Sequence, residues 1–298
     1  VMHMMKKIKK PEYALKWINN ALKNEITHSV KKSLMEDIGD GDITAKLTSD
    51  SSHNKAEIVC RENMVLSGRP WVDEVYNQLD SNIDIKWMFD DGDFIDKNTM
   101  IFEVIGSTQN ILSGERCALN FLQTLSATAT ITRQYVAQLK NLNCKVLDTR
   151  KTLPGLRLAQ KYAVLCGGGT NHRIGLYDAI LIKENHIISG GGIKSIIQKS
   201  KALHPNIPVE IEVETLGEVK EAIIAGADRL LLDNFSQEML EKAYEINQSL
   251  HDNPKLLEAS GDITLKNIRL IAKTGVDFIS VGALTKNISA INLSMRFK

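Results

Sequence analysis

From Cys144 onward the chain repeats strand, loop and helix at regular spacing, and this rhythm restricts the fold more than any other feature. Apolar runs at Cys144–Leu147, Ala179–Ile182, Val209–Val213, Arg229–Leu232, Leu256–Ala259 and Phe278–Val281 predict six strands. Helical stripes lie between most of them, among them Leu156, Ala159, Ala163 and Leu216, Val219, Ile223. Strands that alternate with helices build a parallel sheet. Polar residues follow every strand instead of clustering at one switch point, which favours a barrel over an open doubly wound sheet. Six repeats where a full barrel has eight imply an incomplete, open one. Its active site belongs at the C-terminal strand ends.

The earlier part has another texture. Short strand-like runs at Ala56–Cys60, Met64–Leu66, Ile83–Phe89 and Met100–Ile105 are broken by Asn, Asp and Gly. Helical patterns precede them at Tyr13–Met35 and separate them at Trp71–Leu79, and a long one follows from Gly114 to Leu139. The expectation is an α/β chain of two parts: an N-terminal α+β sandwich module over 1–125 and an α/β barrel catalytic domain over 126–285. The tail, 286–298, is expected to pack back on the module. The 37 Lys and Arg nearly cancel the 36 Asp and Glu, so nothing global points to nucleic acid or to an anionic membrane. Cys60, Cys117, Cys144 and Cys166 are scattered and read as reduced, buried thiols. No run approaches membrane-spanning length, and the start, Val1 to Lys10, lacks the apolar segment of a secretory signal. A cytoplasmic location and a solvated lysine tail are expected.

Positive charge gathers at successive strand ends. Arg150 and Lys151 follow the first barrel strand; the Gly-rich run Gly167-Gly168-Gly169 leads to His172 and Arg173; Lys183 follows the next strand. A solvated basic surface would not place its cations between apolar strands and a Pro-Gly turn. A pocket for a small polyanion would, because Arg offers paired donors to planar oxyanions and Lys a point charge. Opposite charge follows in the alternating Val209-Glu210-Ile211-Glu212-Val213-Glu214. With the apolar residues facing outward, the three glutamates point into the barrel mouth, which is unusual for a parallel strand covered on both sides. Asp233 ends the next strand. Carboxylates at adjacent strand ends can share Mg²⁺ or stabilise a cationic sugar. Ser260-Gly261 and Gly282 close the last two strands, and each is expected to run into a helix whose N-terminus would cradle a phosphate.

Several motifs together resemble the quinolinate phosphoribosyltransferases. They are EDIGDGDIT at Glu36–Thr44, SGERCALNFLQ at Ser113–Gln123 and DTRKTLPGLRLAQKYAV at Asp148–Val164, followed in order by GGGTNHR, LIKENH, VEIEVE, LLLDNF, EASGDIT and VGALT. The resemblance implies a sandwich module, an open barrel, and a homodimer in which one subunit's sandwich caps the partner's barrel. It implies that Arg150, Lys151, His172, Arg173 and Lys183 bind quinolinate, with Arg116 reaching into the neighbouring subunit's site. Glu212 and Asp233 would hold Mg²⁺ and the ribose of phosphoribosyl pyrophosphate, and Ser260, Gly261 and Gly282 would meet the 5′-phosphate. Glu212, Asp233, Lys151 and Lys183 would carry the catalysis, with no organic cofactor. The family often has Glu-Ser-Ser-Gly-Gly where this chain reads Glu258-Ala259-Ser260-Gly261-Asp262, which sets a negative charge beside the phosphate position.

The implied reaction converts quinolinate and phosphoribosyl pyrophosphate into nicotinate mononucleotide, pyrophosphate and CO₂, on the de novo branch of NAD biosynthesis. Two other readings stay open. One is a paralogous phosphoribosyltransferase acting on another substrate such as nicotinate; the other is a non-catalytic protein that binds NAD precursors. The residues do not distinguish dimer from hexamer.

Overall fold

The structure is a computed structural model that describes residues 20–49, 51–250 and 253–298. The lysine tail and the expected helix start at Tyr13 lie outside them. The described chain forms two compact units, and it passes between them more than once. The first comprises residues 20–134, Lys151–Gly169 and Leu284–Lys298; the second comprises Tyr135–Arg150 and Thr170–Ala283.

In the first unit, helix α1 (Asn20–Ile38) precedes strands β1 (His53–Cys60) and β2 (Met64–Val65). Helix α2 (Arg69–Leu79), strands β3 (Asp84–Trp87), β4 (Phe94–Ile95) and β5 (Met100–Ser107), and the start of α3 (Thr108–Gln138) follow. Two later segments return to this unit: helix α4 (Arg157–Cys166) and strand β12 (Leu293–Phe297). The main sheet is antiparallel, ordered β12-β1-β5-β3, and β2 pairs with β4. Its core joins Leu22, Val30, Ile58, Phe102 and Leu122 to Trp71 and to Tyr162 of α4. The Trp71 and Tyr162 rings lie 5.6 Å apart. The Tyr162 hydroxyl donates to the buried Asp91 (2.8 Å), which also accepts the backbone N–H groups of Gly68 and Arg69. These bonds offset the cost of burying polar groups.

Helix α3 begins six residues before the expected Gly114. That glycine is no boundary: a Cβ there would come within 2.8 Å of Leu79 and of Tyr76. It lets α3 approach α2, and the close approach outweighs glycine's cost inside a helix.

The second unit is the βα repeat. Strands β6 (Lys145–Leu147), β7 (Ile180–Ile182), β8 (Val209–Val213), β9 (Arg229–Asp233), β10 (Leu256–Ser260) and β11 (Phe278–Ser280) are all parallel. Their order is β6-β11-β10-β9-β8-β7, so β6 and β7 are the edges of an incomplete barrel. Thr170 adds a parallel bridge beside Leu147 of β6. Helices α5 (Glu184–Ser189), α6 (Ile193–Leu203), α7 (Leu216–Ala225), α8 (Gln237–Leu250) and α9 (Ile268–Ala272) lie between strands, and α10 (Ala283–Lys286) follows β11. Outward strand residues Val209, Ile211, Val213, Leu230 and Leu232 are buried, as are Val219 and Ile223 of α7. Each expected barrel strand is present to within one residue at either end. One expectation fails locally: β10 does not run into a helix, since residues 261–267 intervene before α9.

Candidate active site

Parallel strands deliver their last residues to one rim. Lys183 follows β7, Glu212 is the fourth of the five residues in β8, and Asp233 closes β9. Lys183 forms an ion pair with Glu212, and its own N–H donates to His186 Nδ1 at 3.0 Å. Asp233 accepts a hydrogen bond from Asn234 Nδ2 at 2.8 Å. The rim is acidic: the exposed Glu214 carboxyl is raised above its ordinary value first by the charge of Glu184, then by burial, and then by Glu218, Asp233 and Glu212. A crowd of carboxylate oxygens with one lysine among them is a hard donor set of the kind Mg²⁺ takes.

The glutamates of β8 do not share one depth. Glu210 is buried, Glu212 is half-buried, and Glu214 lies beyond the strand in solvent. Glu210 meets His172, whose Nε2 stands 3.0 Å from Glu210 Oε2 and 3.7 Å from Glu258 Oε2. Arg229 donates to the same Glu258 at 3.2 Å. Burial and the neighbouring charge of Glu210 push the Glu258 carboxyl up to about 7, against the opposing pull of His172 and Arg229. His172, Glu210 and Glu258 each offer a ligand atom within 4.8 Å of the others, but the Arg229 guanidinium already balances Glu258.

The basic loops are tied together at their roots. Asp148, fully buried just after β6, accepts the His172 N–H (2.8 Å) through one oxygen and Asn171 Nδ2 (2.6 Å) through the other. Arg173 donates to the Ala179 carbonyl at 3.2 Å. Its guanidinium is pushed below its ordinary value by burial and then by the charge of Arg150. The opposing pull of Glu210 and Asp178 is the smaller part of that balance. A cavity of about 300 Å³ is lined by His172, Arg173, Glu210 and Arg229. Its other walls include Ile180, Pro208, Asp228 and Leu256, which start or immediately precede strands. These walls belong to the N-terminal halves of the strands, whereas Lys183, Glu212 and Asp233 lie at the other ends.

The remaining expected residues are placed as follows. Gly261 has φ +96°, and a Cβ on it would lie 2.0 Å from Asn234 Oδ1, so only glycine fits between β9 and β10 here. Asp262 is exposed and also left-handed, with φ +44°. Ser260 accepts the Asn234 N–H at 2.9 Å through its carbonyl, and Gly282 directly precedes α10. Lys151 and Arg116 belong to the first unit and both are exposed. The Lys151 carbonyl accepts the Thr285 hydroxyl at 2.8 Å. Sequence reasoning gave no role to Asp148, Arg229 or Glu258. Only Asp148 left a signal, as the polar residue that ends an apolar strand and opens the basic motif.

Residues 42–126 match the family described as quinolinate phosphoribosyl transferase, N-terminal domain, and residues 128–296 match its C-terminal domain. The chain belongs to the quinolinate phosphoribosyltransferase family. Among this family, a probable nicotinate-nucleotide pyrophosphorylase (carboxylating) of Bacillus subtilis is 40% identical over 262 residues, covering 88% of this chain and 89% of that protein. The structure of the nicotinate-nucleotide pyrophosphorylase from Francisella tularensis superposes with a TM-score of 0.89 at 51% identity, covering 93% of this chain and 97% of that one. NadC from Streptococcus pyogenes gives a TM-score of 0.88 at 36% identity, with 92% and 97% covered. These quinolinate phosphoribosyltransferase relatives share both parts of the chain, the antiparallel module and the incomplete parallel barrel. Among the described residues no helix is long and apolar enough to cross a membrane.

Proposed function

We infer that this chain transfers the phosphoribosyl group of phosphoribosyl pyrophosphate to quinolinate, releasing pyrophosphate and CO₂ and leaving nicotinate mononucleotide. What supports the reading, beside family membership, is the placing of Arg150, the half-buried Arg173 and Lys183 after successive segments of one parallel barrel. A planar dianion with two adjacent carboxylates would offer each guanidinium a carboxylate to pair with in a fork. Nicotinate, with one carboxylate, would offer only one such pair. Lys183 and the neighbouring subunit's Arg116 would complete the cationic wall, with the His172 ring beside it, and the exposed position of Arg116 on α3 suits a role at another copy's site. The protein would then act as a homodimer.

The bond from the anomeric carbon to pyrophosphate breaks with its electron pair on the departing oxygen. The pyridine nitrogen lone pair then closes on the cationic sugar. Glu212 and Asp233 would stabilise that charge as carboxylates. They are also the residues that would hold Mg²⁺, which supplies charge neutralisation for the leaving pyrophosphate. Lys151 and Lys183 would serve the same phosphates as point charges. Ser260, Gly261 and Gly282 would receive the 5′-phosphate through backbone N–H groups. Once the ring nitrogen is cationic, the carbon–carbon bond to the adjacent carboxylate can break, because the pyridinium accepts the electrons left behind. A proton then replaces CO₂ on the ring. Holding both reactants in line supplies much of the rate.

The test is to incubate the protein with quinolinate, phosphoribosyl pyrophosphate and Mg²⁺ and to quantify nicotinate mononucleotide and CO₂ together. Equal amounts of both, lost on chelating the metal, are expected. Arg150→Ala should weaken quinolinate binding by about 2–5 kcal/mol, the range for truncating one partner of a buried charge pair. Turnover of nicotinate but not of quinolinate would overturn the reading.

A further inference from the structure

We infer that Glu258 and Arg229 are positioning residues that hold the His172-Arg173 segment in place for quinolinate; the inference rests on the reading of the site above. Neither touches the reacting atoms. Glu258 is completely buried in β10, and a carboxylate there is costly unless paired. Arg229, at the start of β9, supplies the pair at 3.2 Å. Its guanidinium is in turn held 4.3 Å from the centre of the Phe278 ring, and Phe278 is the register partner of Glu258 on β11. Four neighbouring strands, β8 to β11, thus set Glu210, Arg229, Glu258 and Phe278 in one connected layer.

That layer terminates on His172. The ring Nε2 faces Glu210 at 3.0 Å and Glu258 at 3.7 Å. On the opposite edge Nδ1 accepts the Arg173 backbone N–H at 2.8 Å, which puts the ring proton on Nε2, toward the carboxylates. The His172 N–H is tied to Asp148. The imidazole is therefore bonded at Nδ1 to the backbone from which the Arg173 side chain departs, and across Nε2 it faces the two buried carboxyl groups. Freeing the ring would let the Arg173 guanidinium move relative to Arg150, and misplacement by about an ångström is enough to cost a binding site much of its precision.

The experiment compares Glu258→Ala, Glu258→Gln and Arg229→Met with the unmodified chain. Glu258→Ala and Arg229→Met should raise KM for quinolinate about tenfold while leaving KM for phosphoribosyl pyrophosphate unchanged, a split that a general loss of stability would not produce. Glu258→Gln keeps the size of the side chain and its reach to Arg229 and His172, and should restore KM. Nitrogen-15 NMR of the His172 ring supplies a readout independent of turnover. The unmodified chain should show the Nε2-protonated form, and Glu258→Ala should shift or broaden it. Should Glu258→Ala fail to fold, the half-buried Arg229→Met carries the same comparison. An unaltered quinolinate KM in a folded variant, or unaltered His172 resonances, would overturn the inference. If the unmodified chain turns over no quinolinate, the proposed reaction fails, and the NMR comparison still decides whether Glu258 positions His172.

Discussion

A carboxyl group sealed inside a barrel responds to pH in a direction fixed by its neighbours. Glu258 is raised from 4.5 to about 7 by burial and by Glu210, while His172, Arg229 and the Ser280 hydroxyl oppose the shift. Between those values the folded chain keeps a proton that the unfolded chain has lost. Its contribution to stability is therefore fully present below about 4.5 and is lost as pH rises toward 7. The difference is on the order of 3 kcal/mol for a shift of this size. Glu258→Gln removes the proton from the balance, so its stability relative to the unmodified chain should rise between pH 4.5 and pH 7. Urea unfolding of both proteins across that range checks it, and a parallel pair of curves would mean that Glu258 is ionised throughout. This network is also where sequence reading stopped. Lys183 and Asp233 could be placed at strand ends because each follows an apolar run, and Glu212 could be placed in a strand because Val209 to Val213 alternates. The surroundings of His172 depend on which side chains meet across those strands, and no local pattern records that Arg229 lies against Glu258 or Glu210 against His172.

At the scale of elements, α7 is held by signals that are entirely local. Thr215 Oγ1 accepts the Glu218 N–H at 3.2 Å, and Glu218 Oε2 accepts the N–H groups of Thr215 (3.1 Å) and Glu214 (2.7 Å). Gly226, at φ +90°, ends the helix in the left-handed region. This capping box satisfies donors that the first turn would otherwise leave open. Thr215→Ala should cost about 1 kcal/mol of stability. Because the capped turn follows Glu212 by only three residues, kcat should fall with it, and a thermal melt paired with steady-state kinetics would read both. An unchanged melt would show that the box contributes nothing. Strands bounded by polar turns were legible for the same reason, that their limits are written locally. The two-residue β4 was not, since Phe94 and Ile95 become a strand only by pairing with Met64 and Val65. Gly114 misled because glycine's smallness serves a neighbouring helix there and not a break.

For the molecule as a whole, the parallel barrel could be read because each βα repeat is a local event, and the membership of α4 in the first unit could not. The stripe Leu156, Ala159, Ala163 reads as one more barrel helix, yet Ala159 and Ala163 are buried with Trp71 and Tyr76 in the first unit's core. Amphipathicity says that a face is covered, not by what. The far end of the chain also belongs to the first unit. Strand β12 pairs antiparallel with β1, from Cys60 opposite Leu293 to Ala56 opposite Phe297, and Arg61 is bonded to Asn292 and Ser294. A contact made across more than 230 residues gives no return during folding until both ends are in place. Removing residues 293–298 should therefore do two separable things. Loss of the buried Leu293 should lower stability by at least about 2 kcal/mol, the usual range for emptying a core position. The uncovered edge of β1 should recruit other chains, since an open row of backbone donors and acceptors is a template for pairing. Urea unfolding followed by tryptophan fluorescence measures the first effect, and light scattering against protein concentration measures the second. A truncated chain with both unchanged would mean that β1 needs no cover and that β12 is held by the sheet without supporting it.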